Sequence, residues 1–459
     1  MAGLFGSLSM AARALDAQRY GLDVAGQNIA NVNTPGYSRR SALFAAIPPY
    51  EKLSAGGGVE ITGLRAMRDD RLERRLQQER PAEQREQAIA QTLAIVETAL
   101  GKPGQSLDAS LNAFFDSLGR LAADPTSAIE RQTTVSQADA LANSFKDMAG
   151  RLDQARRDAD SGVRDGVGQV NALAQRIASL NASLGAAAGG APGGEELKDS
   201  LNEALKSLSG LIDIGTIPRA DGGVDVSFGN GRPLVIGANT YTIDVASTPP
   251  SGSAALLSDG TTVTSEVTGG SIAGLIQARD VLIPGYLSQL DTIAYSVVTE
   301  VNAIHQTGYD MNGATGGSFF TALPSAAGAA RTISVSAGIV ADPGKIATGG
   351  TATAGDNTVA RKLADLRDAR VLSGGTATLS DAWGSLIYRV GADTKTASDE
   401  QSSRAEIVQQ VELLREQVSG VSLDEEAMMM MKFQRAYEAN ARFFQAIDSA
   451  LDTLLSLHK

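Results

Sequence analysis

The sequence predicts a mainly α-helical protein of several domains with an inserted β region. Apolar residues recur at steps of three and four along most of the chain, and matching apolar seams occupy both ends. Strict alternation of apolar and polar residues is confined to the middle, where Val224, Val226 and Phe228 are spaced by two. With 459 residues, the chain is long enough for two or three domains.

The first predicted helix covers residues 4–29 and carries one apolar seam. Alternating steps of four and three keep a narrow stripe on one side of a helix, as in a coiled coil. A lone helix cannot bury such a stripe, so we expect a partner helix from the same chain or a neighbour. The seam consists of Leu4, Leu8, Ala11, Leu15, Gln18, Leu22, Ala25 and Ile29.

A turn is predicted directly after this helix. Thr34 precedes a proline and is therefore disfavoured in helical geometry, while Pro35 presets the first turn position. Gly36 supplies the positive φ that a type II turn requires. The turn motif is Asn33, Pro35, Gly36 and Tyr37, and residues 38–63 are expected to be extended or irregular.

The last helical section is predicted over residues 398–457, with an interruption at 419–421. Ser422 and Glu425 have the spacing of a capping box, in which each side chain accepts from the other residue's amide. Residues 428–431 are four methionines, which cannot all face one side of a helix; they meet a second surface or fill the core. The second seam consists of Met430, Phe433, Tyr437, Asn440, Phe444, Ile447, Leu451 and Leu454.

Between the ends, helices are predicted at residues 64–100, 126–184, 195–209 and 271–305, with Pro284 kinking or breaking the last one. The glycine- and alanine-rich residues 185–194 are interpreted as a flexible link or hairpin tip. Residues 213–267 form the β region, with neighbouring strands at 234–236 and 241–245. Residues 306–380 are loop-heavy, with one strand candidate at 332–335.

The composition argues against several functions. The absence of cysteine excludes a disulfide scaffold, a cysteine nucleophile and thiolate metal sites, and His305 and His458 are the only histidines. We therefore predict a protein that is not an enzyme, with no catalytic residue, metal site or cofactor. The net charge of −12 argues against nucleic-acid binding.

One basic stretch in the sequence is interleaved with acidic residues. This pattern predicts a solvated helix face with ion pairs rather than an anion site. The basic residues are Arg65, Arg68, Arg71, Arg74, Arg75 and Arg80.

No apolar run is long enough to span a membrane, so no membrane insertion is predicted. The N-terminus also lacks the basic start and continuous apolar block of a secretory signal peptide. If the protein is secreted, we expect a route without a cleaved leader.

Two segments resemble a known family. Residues 21–40, GLDVAGQNIANVNTPGYSRR, are similar to the N-terminal signature of bacterial flagellar axial proteins, the rod, hook and hook-associated family. Residues 421–455 resemble its C-terminal signature, and residues 271–294 resemble the middle helix of its hook–filament junction members. The methionine run departs from the family pattern, which is usually aliphatic with small or polar residues.

The resemblance implies an elongated axial protein whose paired terminal helices form an inner coiled-coil layer. The implied parts are an inner domain of residues 1–50 and 421–459, and a helical rod domain of 51–210, 270–310 and 396–420. They are completed by a β subdomain of 211–269 and a mixed outer region of 311–395.

The resemblance also implies a structural role in motility, as a junction protein that connects the hook to the filament by helical subunit packing. Its implied partners are further copies of itself, the hook protein, and a second junction protein or the filament. Flagellar type III export without a cleaved signal peptide is implied, with a chaperone on the C-terminal helix. Alternatives are a hook or rod protein, a type III translocator with amphipathic membrane-binding helices, and an enzyme.

Overall fold

The structure is a computed structural model that describes residues 2–48, 57–101, 107–187, 193–248 and 253–456. The side chains of residues 2, 3, 454 and 455 are also outside the description. His458 and residues 188–192 of the predicted link therefore lie outside the described residues. The chain divides into two compact units: unit 1 comprises Met1–Pro81, Gln169–Ile243 and Arg404–Lys459, and unit 2 comprises Ala82–Gly168 and Asp244–Ser403. The four-part domain division stays a prediction.

Helices dominate the described chain, which confirms the mainly α class with inserted β strands. The helices are α1 Ala2–Ala30, α2 Asp70–Leu100, α3 Leu107–Ala123, α4 Ala128–Ala187, α5 Gly194–Leu211, α6 Gly270–Gln277, α7 Ile283–His305, α8 Ala329–Thr332, α9 Ala337–Ala341, α10 Thr358–Asp365, α11 Leu379–Ser419 and α12 Leu423–Ser456. The strands are β1 Arg40–Ile47, β2 Gly58–Ala66, β3 Ile214–Pro218, β4 Val224–Phe228, β5 Arg232–Ile236, β6 Asn239–Thr240, β7 Asp244–Thr248, β8 Ser253–Ser258 and β9 Thr261–Thr262.

Two helix boundaries need correction, and one long helix was missed. The second helix begins at Asp70 rather than residue 64, because residues 64–66 belong to β2 and the Asp69 carboxylate accepts from the Arg71 amide at 2.8 Å. Helix α3 was not predicted at all. The last section begins at Leu379 rather than 398, because Thr378 and Asp381 form a reciprocal cap in which each side-chain oxygen accepts from the other's amide at 3.0 Å.

The strands of unit 1 form two antiparallel sheets. Strands β1 and β2 make a hairpin, which the sequence predicted only as extended or irregular, and its register shifts between Leu43 and Phe44. The other sheet has the order β3-β4-β5-β6. The strand expected at 241–245 is wrong, because β5 pairs instead with Asn239–Thr240 and the next strand, Asp244–Thr248, belongs to another sheet.

Unit 2 contains that other sheet, of order β7-β8-β9, and the larger hydrophobic core. Pro284 interrupts the α-helical pattern without ending the helix: a π-helical turn at Ala278–Leu282 precedes it, and the backbone stays helical from α6 into α7. The strand candidate at 332–335 is wrong. Thr332 ends the short α8, and Val335 forms only an isolated bridge to Phe320.

A loop of unit 2, residues 343–348, is held by two buried side chains, His305 and Arg131. His305 is fully buried, its Nε2 accepts from the Ala347 amide at 2.9 Å, and its Nδ1 lies 2.7 Å from the Gly317 oxygen. These contacts require the neutral ring with its proton on Nδ1. Burial lowers the pKa of His305 below its usual value.

This arrangement predicts an acid-sensitive stability. Because the folded pKa of His305 lies below the unfolded value of about 6.5, the unfolded chain binds more protons as the pH falls, and stability decreases. The contribution is fully present above about pH 6.5 and is lost progressively as the pH drops from there through the lower folded pKa of His305. We expect the free energy of unfolding to fall between pH 7.5 and 5.5 in urea titrations. A His305→Gln variant should show a smaller fall, and an identical pH dependence would contradict this role.

Candidate assembly interface at the chain termini

The two terminal helices pack on each other in unit 1, and α1 also contacts β1 and β2. The chain thus supplies each predicted seam with a partner helix. The large seam residues of α1, however, are only half-buried: Leu4, Leu8, Leu15, Leu22 and Ile29. The fully buried positions of α1 are mostly small residues, namely Ala11, Ala17, Gly21, Val24, Ala25 and Asn28.

Small residues let α12 approach α1 closely. A Cβ atom on Gly21 would lie 2.6 Å from the Phe433 ring, well inside van der Waals contact. The same ring meets Phe44 of β1 edge-on, with 6.4 Å between centroids. Phe433 of the second seam is therefore held between α1 and the hairpin, at a glycine that lies beside the first predicted seam rather than in it.

The remaining seam residues of α12 are covered to different extents. Ile447 is buried, Phe433, Phe444 and Leu451 are half-buried, and Tyr437 is 40% exposed. The Leu454 side chain lies outside the described part of the chain. The methionine run divides as its helical spacing requires: Met429 and Met430 are half-buried, while Met428 and Met431 are 58% and 52% exposed. Apolar surface on both terminal helices is therefore left uncovered in the single chain.

A buried polar network joins α1, β1 and α12. Asn28 is 1% exposed and donates from Nδ2 to Glu426 Oε2 at 3.0 Å and to the Arg40 carbonyl at 2.9 Å. Its Oδ1 accepts from the Tyr37 hydroxyl at 2.8 Å and from the Arg40 amide at 3.0 Å. Glu426, 2% exposed, also accepts from Arg39 Nε at 2.7 Å. The carboxylate is thus paired and hydrogen-bonded, as a buried charge must be.

The network continues onto α5. Arg40 Nη1 pairs with Glu196, and its Nη2 lies 3.4 Å from Asp199 Oδ2. The Arg40 guanidinium also stacks over the Tyr37 ring at 4.8 Å, and burial raises the pKa of the Tyr37 hydroxyl. This network was not predicted from the sequence. Its only signals were polar residues among apolar ones in the first helix and the two arginines after the turn.

The predicted turn lies against α5 and α11. Gly36 has φ of 79°, and the Tyr37 amide donates to the Thr34 carbonyl at 3.2 Å, as a type II turn requires. A Cβ atom on Gly36 would lie 3.2 Å from Glu203 Oε2, and the Gly36 carbonyl accepts from Arg415 Nη2 at 3.4 Å. Asn33 and Pro35 are exposed, and Tyr37 is half-buried.

Gly36→Val should weaken the terminal structure measurably. A β-branched residue at positive φ costs about 1–3 kcal/mol. The matched control is Asn33→Val, at an exposed position of the same turn region where φ is not positive. We expect thermal unfolding of Gly36→Val at a lower temperature and reduced recovery of the chain in isolated flagella. Equal behaviour of the two variants would contradict this reading of the turn.

The cap of α12 is formed only in part. The Ser422 hydroxyl lies 3.5 Å from the Glu425 amide, at the long limit of a hydrogen bond. The Glu425 carboxylate does not reach back to Ser422, because it accepts from Arg39 Nη1 at 2.6 Å. The reciprocal capping box is therefore wrong. Glu425 instead links α12 to Arg39, the residue before β1.

The basic stretch is not a continuous solvated helix face. Arg65 lies in β2 and Arg68 precedes α2, while Arg71, Arg74 and Arg75 are exposed on α2. The ion pairs of this region reach other elements rather than the interleaved acids: Arg68 with Asp199, Arg80 with Glu412, and Glu73 with Arg415. Distant partners, which sequence spacing cannot show, explain the difference.

Three family models match the chain in sequence order. They are described as flagella basal body rod protein, at residues 8–37; flagellar hook-associated protein FlgK helical domain, at 93–320; and flagellar basal body rod FlgEFG protein C-terminal, at 416–457. Flagellar hook-associated protein 1 of Bacillus subtilis is 26% identical over 99% of both chains. The chain belongs to the flagellar hook-associated protein 1 family.

Other members of the hook-associated protein 1 family match over similar lengths. The Escherichia coli protein is 24% identical, covering 96% of this chain and 98% of its own. The flagellar hook junction protein FlgK from Burkholderia pseudomallei has the same fold, with a TM-score of 0.68 and 16% identity; the match covers 75% of this chain and 100% of that chain. Within the described residues, no helix is long and apolar enough to cross a membrane, and no cluster of side chains suited to a metal ion is found.

Proposed function

We propose that this chain is a structural subunit of the bacterial flagellum that joins the hook to the filament. The observation that carries the proposal is the incomplete cover of the paired terminal helices: leucines of α1 and methionines of α12 keep apolar surface exposed in the single chain. Apolar surface of this kind is typical of protein–protein contacts. The family supplies the setting, since its curated members are flagellar hook-associated proteins.

We propose that copies pack side by side in a helical layer, so that the half-buried seam of one copy is covered by the next. Contacts between different faces repeat around an axis instead of closing a dimer. The predicted interface is Leu4, Leu8, Leu15, Leu22, Ile29, Phe433, Tyr437, Phe444, Ile447, Leu451 and Leu454. Ile447 is already buried within the chain, so the proposed contact between copies depends on the other residues. The hook protein on one side, and a second junction protein or the filament on the other, are the proposed neighbours.

Export and chaperone binding are further parts of the proposal. The chain would leave the cell by the flagellar export apparatus without a cleaved leader, and a chaperone would cover α12 before assembly. The exposed Met428 and Met431 support this second point, since flexible thioether side chains suit a surface that meets different partners in turn.

The test is electron microscopy of cells that lack this protein. A junction subunit is needed for filament attachment but not for hook growth, so we expect complete hooks and shed filaments. Loss of the hooks themselves would favour a hook or rod protein, whose C-terminal and N-terminal family models also match. Cells that keep attached filaments would contradict the proposal.

A further inference from the structure

A cationic groove lies on unit 1, next to the start of α2, helix α5 and the β3–β4 hairpin. Its volume is about 420 Å³, and five basic side chains line it against three carboxylates. The basic side chains are Arg65, Arg68, Arg74, Lys198 and Arg219. The carboxylates are Asp70, Glu73 and Glu195.

Most of these carboxylates are already engaged. Glu73 pairs with Arg415 at 2.5 Å, and Glu195 pairs with Lys198 at 3.0 Å and, more loosely, with Arg68 at 3.6 Å. Among the described residues, Arg65 and Arg74 have no carboxylate partner, and both are exposed. Arg219 is held by Asp221 at 3.1 Å and Asp225 at 3.2 Å, both outside the groove lining. The unpaired charges of the groove are therefore Arg65 and Arg74 against Asp70, which leaves it with a positive excess.

Arg68 adds a donor that points to a ligand. Its side chain is 10% exposed, and one Nη is bound by Asp199 at 2.6 Å. Its Nε is buried and finds no hydrogen-bond partner within the described part of the chain. Because a guanidinium presents its N–H groups in a fork that matches a carboxylate, an acidic side chain entering the groove would satisfy this donor.

We propose that this groove binds an acidic surface segment of a second copy of the chain. The charge distribution supports this occupant: unit 1 contains 22 Lys and Arg against 24 Asp and Glu, whereas unit 2 contains 18 against 28. Nearly all of the net charge of −12 thus belongs to unit 2. The inference rests on the proposed function, because side-by-side copies bring different faces together. Such charge pairing fixes register and suppresses wrong contacts.

The first experiment reverses the two unpaired charges. Arg65→Glu with Arg74→Glu should lower the amount of the chain in isolated flagella at least about tenfold, because like charges then face each other. The matched control is Arg71→Glu with Arg75→Glu, which changes the same net charge at exposed positions outside the groove lining. Thermal unfolding of each purified variant shows whether it folds. Normal recovery of the folded groove variant, or equal loss in the control, would overturn the inference.

The second experiment identifies the occupant. Cells make the wild-type chain together with an affinity-tagged Lys198→Arg copy, and their flagella are treated with a carbodiimide, which joins lysines to neighbouring carboxylates. After denaturing purification of the tagged copy, an untagged chain attached through Lys198 must come from a second molecule. We expect this product, with an Asp or Glu of unit 2 as the partner. Attachment of Lys198 only to Glu195 of its own chain, or to a different flagellar protein, would overturn the inference.

The proposed function and the proposed role of the groove can fail separately. If the wild-type chain is absent from the hook–filament junction, the proposed function is wrong. If the wild-type chain is present there and the groove variant is recovered equally well, only the groove's role is wrong.

Discussion

Gly21→Val should separate the terminal helices and abolish assembly. In the structure a Cβ atom at this position would already lie 2.6 Å from the Phe433 ring, and the two further methyl carbons of valine need still more room. Phe433 has little freedom to retreat, because its other side meets Phe44. Overpacking of this kind typically costs about 1–3 kcal/mol. Here we expect that cost to fall on the contact between α1 and α12.

The control is the same substitution one turn and a half further along α1. A Cβ atom on Gly26 would meet nothing within 4 Å, so Gly26→Val changes the helix propensity equally without touching α12. Valine is a slightly better helix former than glycine, by a few tenths of a kcal/mol, so Gly26→Val should be neutral or weakly stabilising.

The measurements are protease resistance of the terminal helices in the purified chain and recovery of the chain in isolated flagella. Gly21→Val should lose both, and Gly26→Val should keep both. If Gly21→Val assembles normally, then the close approach of Phe433 to α1 is not required for the terminal contact.

The position of this contact shows how far periodicity can predict a buried face. Alternating steps of three and four predicted α1 and α12 and the need of each for a partner helix, while the family resemblance implied that they pair with each other. They placed the leucines at the centre of the contact, yet the structure buries Ala17, Gly21 and Val24 more completely. Hydrophobicity ranks leucine above glycine, whereas close helix packing favours the smaller side chain. The buried residues Gly21 and Asn28 each directly precede a predicted seam residue, Leu22 and Ile29. The buried face of α1 is therefore offset from the predicted seam by about one residue.

The polar network could not be predicted for another reason. Asn28 and Glu426 are 398 positions apart, and nothing in the sequence around either residue indicates that the two are in contact. The same holds for Arg68 and Asp199, 131 positions apart. Local rules predicted the turn at Gly36 and the irregular helix at Pro284, because backbone geometry at those positions depends on neighbouring residues alone.

Arg131→Met should destabilise unit 2 by about 3–5 kcal/mol, because several buried carbonyl oxygens lose their donor together and each unsatisfied acceptor costs about 1–3 kcal/mol. Arg131 is 2% exposed, and its contacts among the described residues are oxygen acceptors without a formal charge. Its Nη1 donates to the Ile346 carbonyl at 2.6 Å and to the Gly344 carbonyl at 3.2 Å, while Nε and Nη2 donate to the Pro125 carbonyl at 3.0 and 2.7 Å. Burial lowers the pKa of this guanidinium, but its usual value is so high that it stays charged.

Methionine fills most of the volume of arginine but donates no hydrogen bond, so the carbonyl oxygens of the 343–346 loop would lose their donor while still buried. Arg131→Lys keeps the charge but not the planar fork, and we expect a loss of about 2 kcal/mol. Arg157→Met on the same helix is the control, because Arg157 is exposed and, among the described residues, donates only to Gln154 one turn away. Its expected change is within about 0.5 kcal/mol.

Urea unfolding of the full chain at pH 7.5, followed by circular dichroism, measures all three variants. The same loop also accepts His305, so Arg131→Met should in addition weaken the pH dependence of stability described above, because the Ala347 amide is no longer held against the imidazole. A loss below about 1 kcal/mol for Arg131→Met would show that the loop carbonyls find other donors, such as water, when the guanidinium is removed. A loss equal to that of Arg157→Met would show that burial of Arg131 contributes nothing beyond its charge.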